Sequence, residues 1–231
     1  MAGLGNVHAQ RGQVHEAMLD AFEHRNSGGF SHESDGTTFV VAWHYVYSAR
    51  VTSTRTRSLD AAIDLLGTEG LRSLTHVRVD ERAGLPKGST SNHFRTREAL
   101  LLGVVDWIAT RELPPVGAAF SPASAADLVD SLCGLLDFTT VANRTLTTAR
   151  LVLFMEASHD TALREALSRG RTAMTSSVVP ALARLGAHDP VAAAEAIAAC
   201  FEGLILHRIA RHDTSDPRRT FELLVNSVIP A

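Results

Sequence analysis

The residues of this chain whose types and spacing could do chemistry gather in one polar stretch: Leu74-Thr75-His76-Val77-Arg78-Val79-Asp80-Glu81-Arg82-Ala83-Gly84-Leu85-Pro86-Lys87-Gly88-Ser89-Thr90-Ser91-Asn92-His93-Phe94. The pattern predicts two short helices joined by a Gly-containing turn, the layout of a helix-turn-helix. Gly84 supplies a turn conformation that a residue with Cβ would resist. Leu85 can tuck under both helices, and Pro86 stops the first helix and suits the start of the second. The second helix is too polar for a core: Lys87, Ser89, Thr90, Ser91, Asn92 and His93 surround a single Phe94. Small donors and acceptors on a short exposed helix can reach base edges and phosphates in a DNA major groove. The same spacing also suits a solvated amphipathic hairpin.

Other chemistries find little support. His207 and His212 lie about 140° apart around a helix and cannot chelate from one face. The two cysteines, Cys133 and Cys200, have no metal-ligand spacing and fall inside apolar helical stripes, where cysteine packs as a small hydrophobe. No phosphate loop, nucleophile elbow or dinucleotide fingerprint is present. The expectation is a protein that is not an enzyme and takes neither metal nor cofactor.

The elements that must carry the polar stretch are helical. Leu59, Ala62, Ile63 and Leu66 follow the i, i+3, i+4, i+7 period, with Ser53 or Thr54 as the cap and Gly70 as the stop. A further helix is expected from about Thr96 to Leu113, stopped by Pro114-Pro115. Ala-rich amphipathic segments follow at about 124–142, 145–157, 161–185, 190–211 and 217–229. The fold class is therefore all-α: a three-helix head and a C-terminal helical bundle, about nine helices in all. Residues 1–50 differ, holding 5 of the 11 histidines and both tyrosines. They are expected to be a poorly ordered extension, with upstream sequence translated ahead of a start near Val51 as the alternative.

The 231 residues carry 45% hydrophobic and 20% charged residues, a soluble globular balance large enough to bury a core. With two cysteines, no long uncharged apolar run and no basic-then-apolar leader, the expected setting is the cytoplasm, with no membrane partner. Residues 50–97 hold 9 basic and 5 acidic residues, a surplus of +4 on a chain whose net charge is −3. That asymmetry fits a polyanionic partner, and equally a solvated basic face.

Residues 55–113 resemble the TetR family of bacterial transcriptional regulators. The matching pieces are Glu69-Gly70, Leu74-Thr75, Ala83-Gly84-Leu85, Gly88-Ser89, His93-Phe94 and Arg97-Glu98-Ala99-Leu100-Leu101. The resemblance implies a homodimeric repressor-type protein, with a DNA-reading head at 51–113 and an effector-binding and dimerisation domain at 114–231. Its partners would be a pseudo-palindromic double-stranded operator and a small-molecule effector. The rival is a helical ligand-binding or interaction protein whose reading head has degenerated. The sequence departs from the family pattern at Asp80, Thr90 and Ser91, where apolar or aromatic residues are usual. The Asp80 carboxylate is expected to accept a hydrogen bond from the hydroxyl of Thr90 or Ser91.

Roles then follow from position. Lys87, Ser89, Ser91 and Asn92 are the groove-reading candidates, with Asn92 suited to adenine. Thr75, His93, Arg95 and Arg97 would hold phosphates, as would Arg55 and Arg57 at the start of the first helix. The resemblance places a dimer interface on Ile197, Phe201, Leu204, Ile205, Phe221, Leu224, Val225 and Val228, which could otherwise form a monomer core. For an effector pocket the middle helices offer Phe138, Arg150, Phe154, Met155 and Met174.

Overall fold

A computed structural model of the chain describes residues 53–119 and 121–229, and the extension expected over 1–50 lies outside them. Among the described residues there are nine α-helices and no strand. The first is α1, Thr54–Glu69, capped by Ser53, whose hydroxyl accepts from the Thr56 N–H at 3.2 Å. It ends at Gly70, whose φ of +79° is open to glycine and whose N–H closes onto Leu66 O. A 3-10 turn, Leu71–Ser73, leads to α2, His76–Ala83, capped by the Thr75 hydroxyl. Gly84, at φ +61°, turns the chain towards the short α3, Ser89–His93.

The long α4 spans Arg97–Ala119 and continues through Pro114-Pro115, where the sequence predicts a stop. Proline removes a donor and crowds the preceding turn, yet its fixed φ is helical. The rest of α4 packs along α7, which outweighs the local defect. Next come α5, Ala125–Asp137, and a π-turn at Phe138–Ala142. The remaining helices are α6, Arg144–Glu156; α7, Thr161–Arg184; α8, Pro190–Ala210; and α9, Arg218–Val228. Side-chain caps from Ser124, Asp160 and Asp189 start α5, α7 and α8.

The side chains bury into two clusters. The first joins the head to the body: Leu59 and Leu66 of α1, Val79 of α2 and Phe94 meet Leu100 and Val104 of α4, Leu146 and Leu153 of α6, and Leu163 of α7. The head therefore shares its core with the C-terminal helices across the expected boundary at 113/114. The second cluster holds Leu128 and Leu136 of α5, Leu182 of α7, Ile205 of α8, and Phe221 and Val225 of α9. α8 is the one described helix long and apolar enough to cross a membrane, but Glu195, Glu202 and Arg208 interrupt it and its Ala193, Ala194, Ile197, Ile205 and Ile209 are buried in this fold.

Candidate nucleic-acid interface and ligand cavity

Asp80 organises the helix-turn-helix. Its side chain is 2% exposed and is the acceptor that holds α3 on α2. Oδ1 accepts from the Thr90 N–H at 2.8 Å and the Thr90 hydroxyl at 2.5 Å, and Oδ2 accepts from the Gly88 N–H at 2.8 Å. The partner is thus Thr90, which is itself fully buried, while Ser91 is exposed. Burial acts to raise the Asp80 carboxyl, but the three hydrogen bonds outweigh it and hold the group below its usual range. A polar lock thus joins the two helices. It caps α3 without a side-chain cap of that helix's own.

With α3 fixed in this way, Lys87, Ser91, Asn92, His93 and Arg95 lie exposed on one end of the head. Ser89 is half-buried, its hydroxyl donating to Pro86 O at 2.6 Å. Four of the residues expected to hold phosphates also have work inside the head. Arg57 donates to the turn carbonyls of Ala83 and Gly84 at 2.6 and 3.1 Å. Arg97 donates to Leu71 O at 3.1 Å, and Thr75 caps α2. The Arg55 guanidinium lies 5.3 Å from the centre of the Phe94 ring. Two of the nine basic residues of the stretch, Arg78 and Arg82, are paired within it to Glu69 and Asp64.

A cavity of about 180 Å³ lies between α4, α5, α6, α7 and α8. Of the residues offered for an effector pocket, Phe138, Arg150, Phe154 and Met174 line it. Met155 does not: it is 72% exposed, one position beyond Phe154 and so about 100° around α6 from it. Arg150 and Phe154, four apart, share the inner face. The π-turn brings Phe138 and Thr139 to the wall, its threonines bonding back to carbonyls of α5.

Sequence reasoning missed Glu112, on the same α4 stripe as Val105, Ile108 and Ala109. An acid completing an apolar i, i+3, i+4, i+7 series was the signal available. Glu112 accepts from Arg150 Nη1 at 3.3 Å; burial pushes its carboxyl above the usual range, against the pull of the Arg150 charge. The Arg150 Nε is buried and finds no acceptor among the described residues. Arg171 and Glu202, at the cavity's edge, pair at 2.7 Å. Cys133 and Cys200 are partly buried against the second cluster, and burial raises both thiols.

The expected interface residues divide. Ile197, Ile205, Phe221 and Val225 are buried within the single chain, so their apolar surface serves the core and is not open to a second copy. Phe201, Leu204, Leu224 and Val228 are half-buried against the same cluster, Phe201 stacked on Phe221. Val191 and Leu206 of α8 and Leu223 of α9 are the large apolar side chains left open on these two helices among the described residues. α8 carries apolar residues nearly all round, so periodicity alone does not separate its inward face, whereas α9 sets Phe221, Leu224, Val225 and Val228 on one face with Leu223 opposite.

Residues 123–231 match the family described as tetracycline repressor-like, C-terminal domain. In its fold and its C-terminal domain, the chain is similar to TetR-family regulators. Solved TetR-like structures align with most of it. The multidrug binding protein EbrR complexed with ethidium is 27% identical, with a TM-score of 0.62, covering 78% of this chain and 100% of that one. A TetR-family member from Streptomyces coelicolor A3 is 23% identical, with a TM-score of 0.58 over 78% of this chain and 99% of its own. Salmonella enterica GusR is 18% identical, with a TM-score of 0.64 over 77% and 96%. No curated protein matches the chain. This likeness supports a transcriptional regulator with a ligand-binding C-terminal domain.

Proposed function

We propose that the chain is a homodimeric, sequence-specific DNA-binding repressor whose hold on a pseudo-palindromic operator is lowered by a small molecule in the cavity. One observation carries this reading: α4 belongs to both sites. Its first turns, at Leu100, Leu101 and Val104, are core of the head, and its next turns, at Val105, Ile108, Ala109 and Glu112, line the cavity. Asp60 of α1 accepts from both Trp107 and Arg111 of α4, which ties the head to the cavity wall one residue from Glu112. A ligand that moves α4 must move the head or break these bonds. Relative head spacing in a dimer would then fall out of register with two half-sites.

In this reading Lys87, Ser91 and Asn92 face the groove, with Ser89 at its wall. Arg95 and His93 approach phosphates, joined by Arg55, Arg57, Thr75 and Arg97 to the extent that each leaves its partner in the head. Selection from random duplex DNA should return an inverted repeat, with half-sites about one helical turn or a multiple apart. Binding should weaken steeply with salt. Recovery of no enriched repeat would refute the proposal. Dimerisation is assigned to the open face of α8 and α9. Leu206→Glu with Leu223→Glu should give a folded monomer by sedimentation, because both side chains are exposed in the single chain. A double variant still dimeric would move the interface elsewhere.

A further inference from the structure

Resting on the cavity as the effector site, we infer that its effector is an organic anion with an apolar body, a carboxylate above all, seated on the Arg150 guanidinium. The wall is largely apolar, and its charged groups are few: Glu112 from α4, Arg150 from α6, Arg171 from α7 and Glu202 from α8. The π-turn and α5 contribute Leu128, Leu132, Leu135, Phe138 and Thr139, none of them charged. Both carboxylates already rest on an arginine, each through a single Nη1, and Arg150 is the more buried of the two arginines. Arg150 reaches Glu112 through Nη1 alone, at a long 3.3 Å, and its buried Nε has no acceptor among the described residues. A ligand carboxylate reaching the Arg150 guanidinium from the cavity would make a charge-assisted pair with it.

A cationic ligand would fit poorly. To reach Glu112 it would have to displace or adjoin a guanidinium that cannot lose its charge. Glu112 can lose its own by taking a proton, and its burial already favours that. When a second carboxylate arrives beside Arg150, Glu112 is the group that yields. Anion binding should therefore take up a proton, and anion affinity should rise as pH falls.

Calorimetry on the full chain with octanoate, octanol and octylammonium, matched in their apolar part, tests this. Octanoate should bind at least about tenfold more tightly than either of the others. Heats measured in buffers of different ionisation enthalpy should show proton uptake. Arg150→Gln should bring octanoate down to the level of octanol, and Arg150→Lys should restore part of the difference, with melting curves confirming both variants folded. Glu112→Gln should keep the preference for octanoate and lose the proton uptake. Equal binding of octanol and octanoate, tighter binding of octylammonium or of ethidium, or no binding of any probe would each overturn the inference. DNA is absent from these measurements. An octanoate preference alongside failed operator selection would leave the ligand class standing and remove the repressor reading, and the converse result would do the reverse.

Discussion

Asp80→Ala should cost the head about 3–5 kcal/mol, because two buried or half-buried N–H groups and one buried hydroxyl lose a charged acceptor together. The donors are the Gly88 N–H, the Thr90 N–H and the Thr90 hydroxyl. Thr90→Val removes only the last and should cost about 1–3 kcal/mol, although it restores the apolar residue usual in relatives. Combining Asp80→Ala with Thr90→Leu should recover only the hydroxyl's share, since the backbone donors of α3 remain without their acceptor. The two positions should couple by more than about 0.5 kcal/mol in a double-mutant cycle measured by denaturant unfolding. Additivity would show that the lock is not the source of the stability. The pH dependence has a definite sign. The folded carboxyl titrates below its unfolded value, so its contribution is complete above about pH 4–5 and is lost as pH falls through the folded value. Asp80→Asn should flatten that acid limb in a series of melting curves.

The lock was legible in the sequence because three departures from a familiar pattern occurred together, and a buried acid demands a donor nearby. Gly70 and Gly84 were legible as stops for the same kind of reason: both occupy a positive φ. What could not be read depended on tertiary packing. The passage of α4 through Pro114-Pro115 is decided by the length of helix already held on α7, which local propensity does not contain. Met155 was drawn into the expected pocket by its type, and a one-residue step around α6 puts it in solvent. On α8 the apolar residues outnumber those one face can hold, so only burial distinguishes Ile205 from Leu206. Glu112 was passed over because an acid in an apolar stripe is usually the stripe's solvent edge. Here that edge is the cavity.

The crossing of α1 over α6 gives a second large effect, with a control built into the same chain. At Gly67 an added Cβ would stand 2.1 Å from Thr145 O and 2.8 Å from Thr145 Cγ2. The obstacle is backbone at the first turn of α6, so it cannot swing aside as a side chain would. The two helices must separate, and the first core cluster lies between them. Gly67→Ala should therefore destabilise the fold by about 2–3 kcal/mol, and Gly67→Val by more, despite the better helix propensity of alanine. For a chain of this size that is a fall in Tm of about 4–12 °C. Gly134, within α5, meets nothing within 4 Å of an added Cβ. The same change there should stabilise by about 0.5–1 kcal/mol, since only the helix preference remains. One substitution in two helices is thus expected to act with opposite signs. If Gly67→Ala raised Tm as Gly134→Ala does, α1 and α6 would not cross as closely as Gly67 allows, and the route from cavity to reading head through the shared core would lose its physical basis.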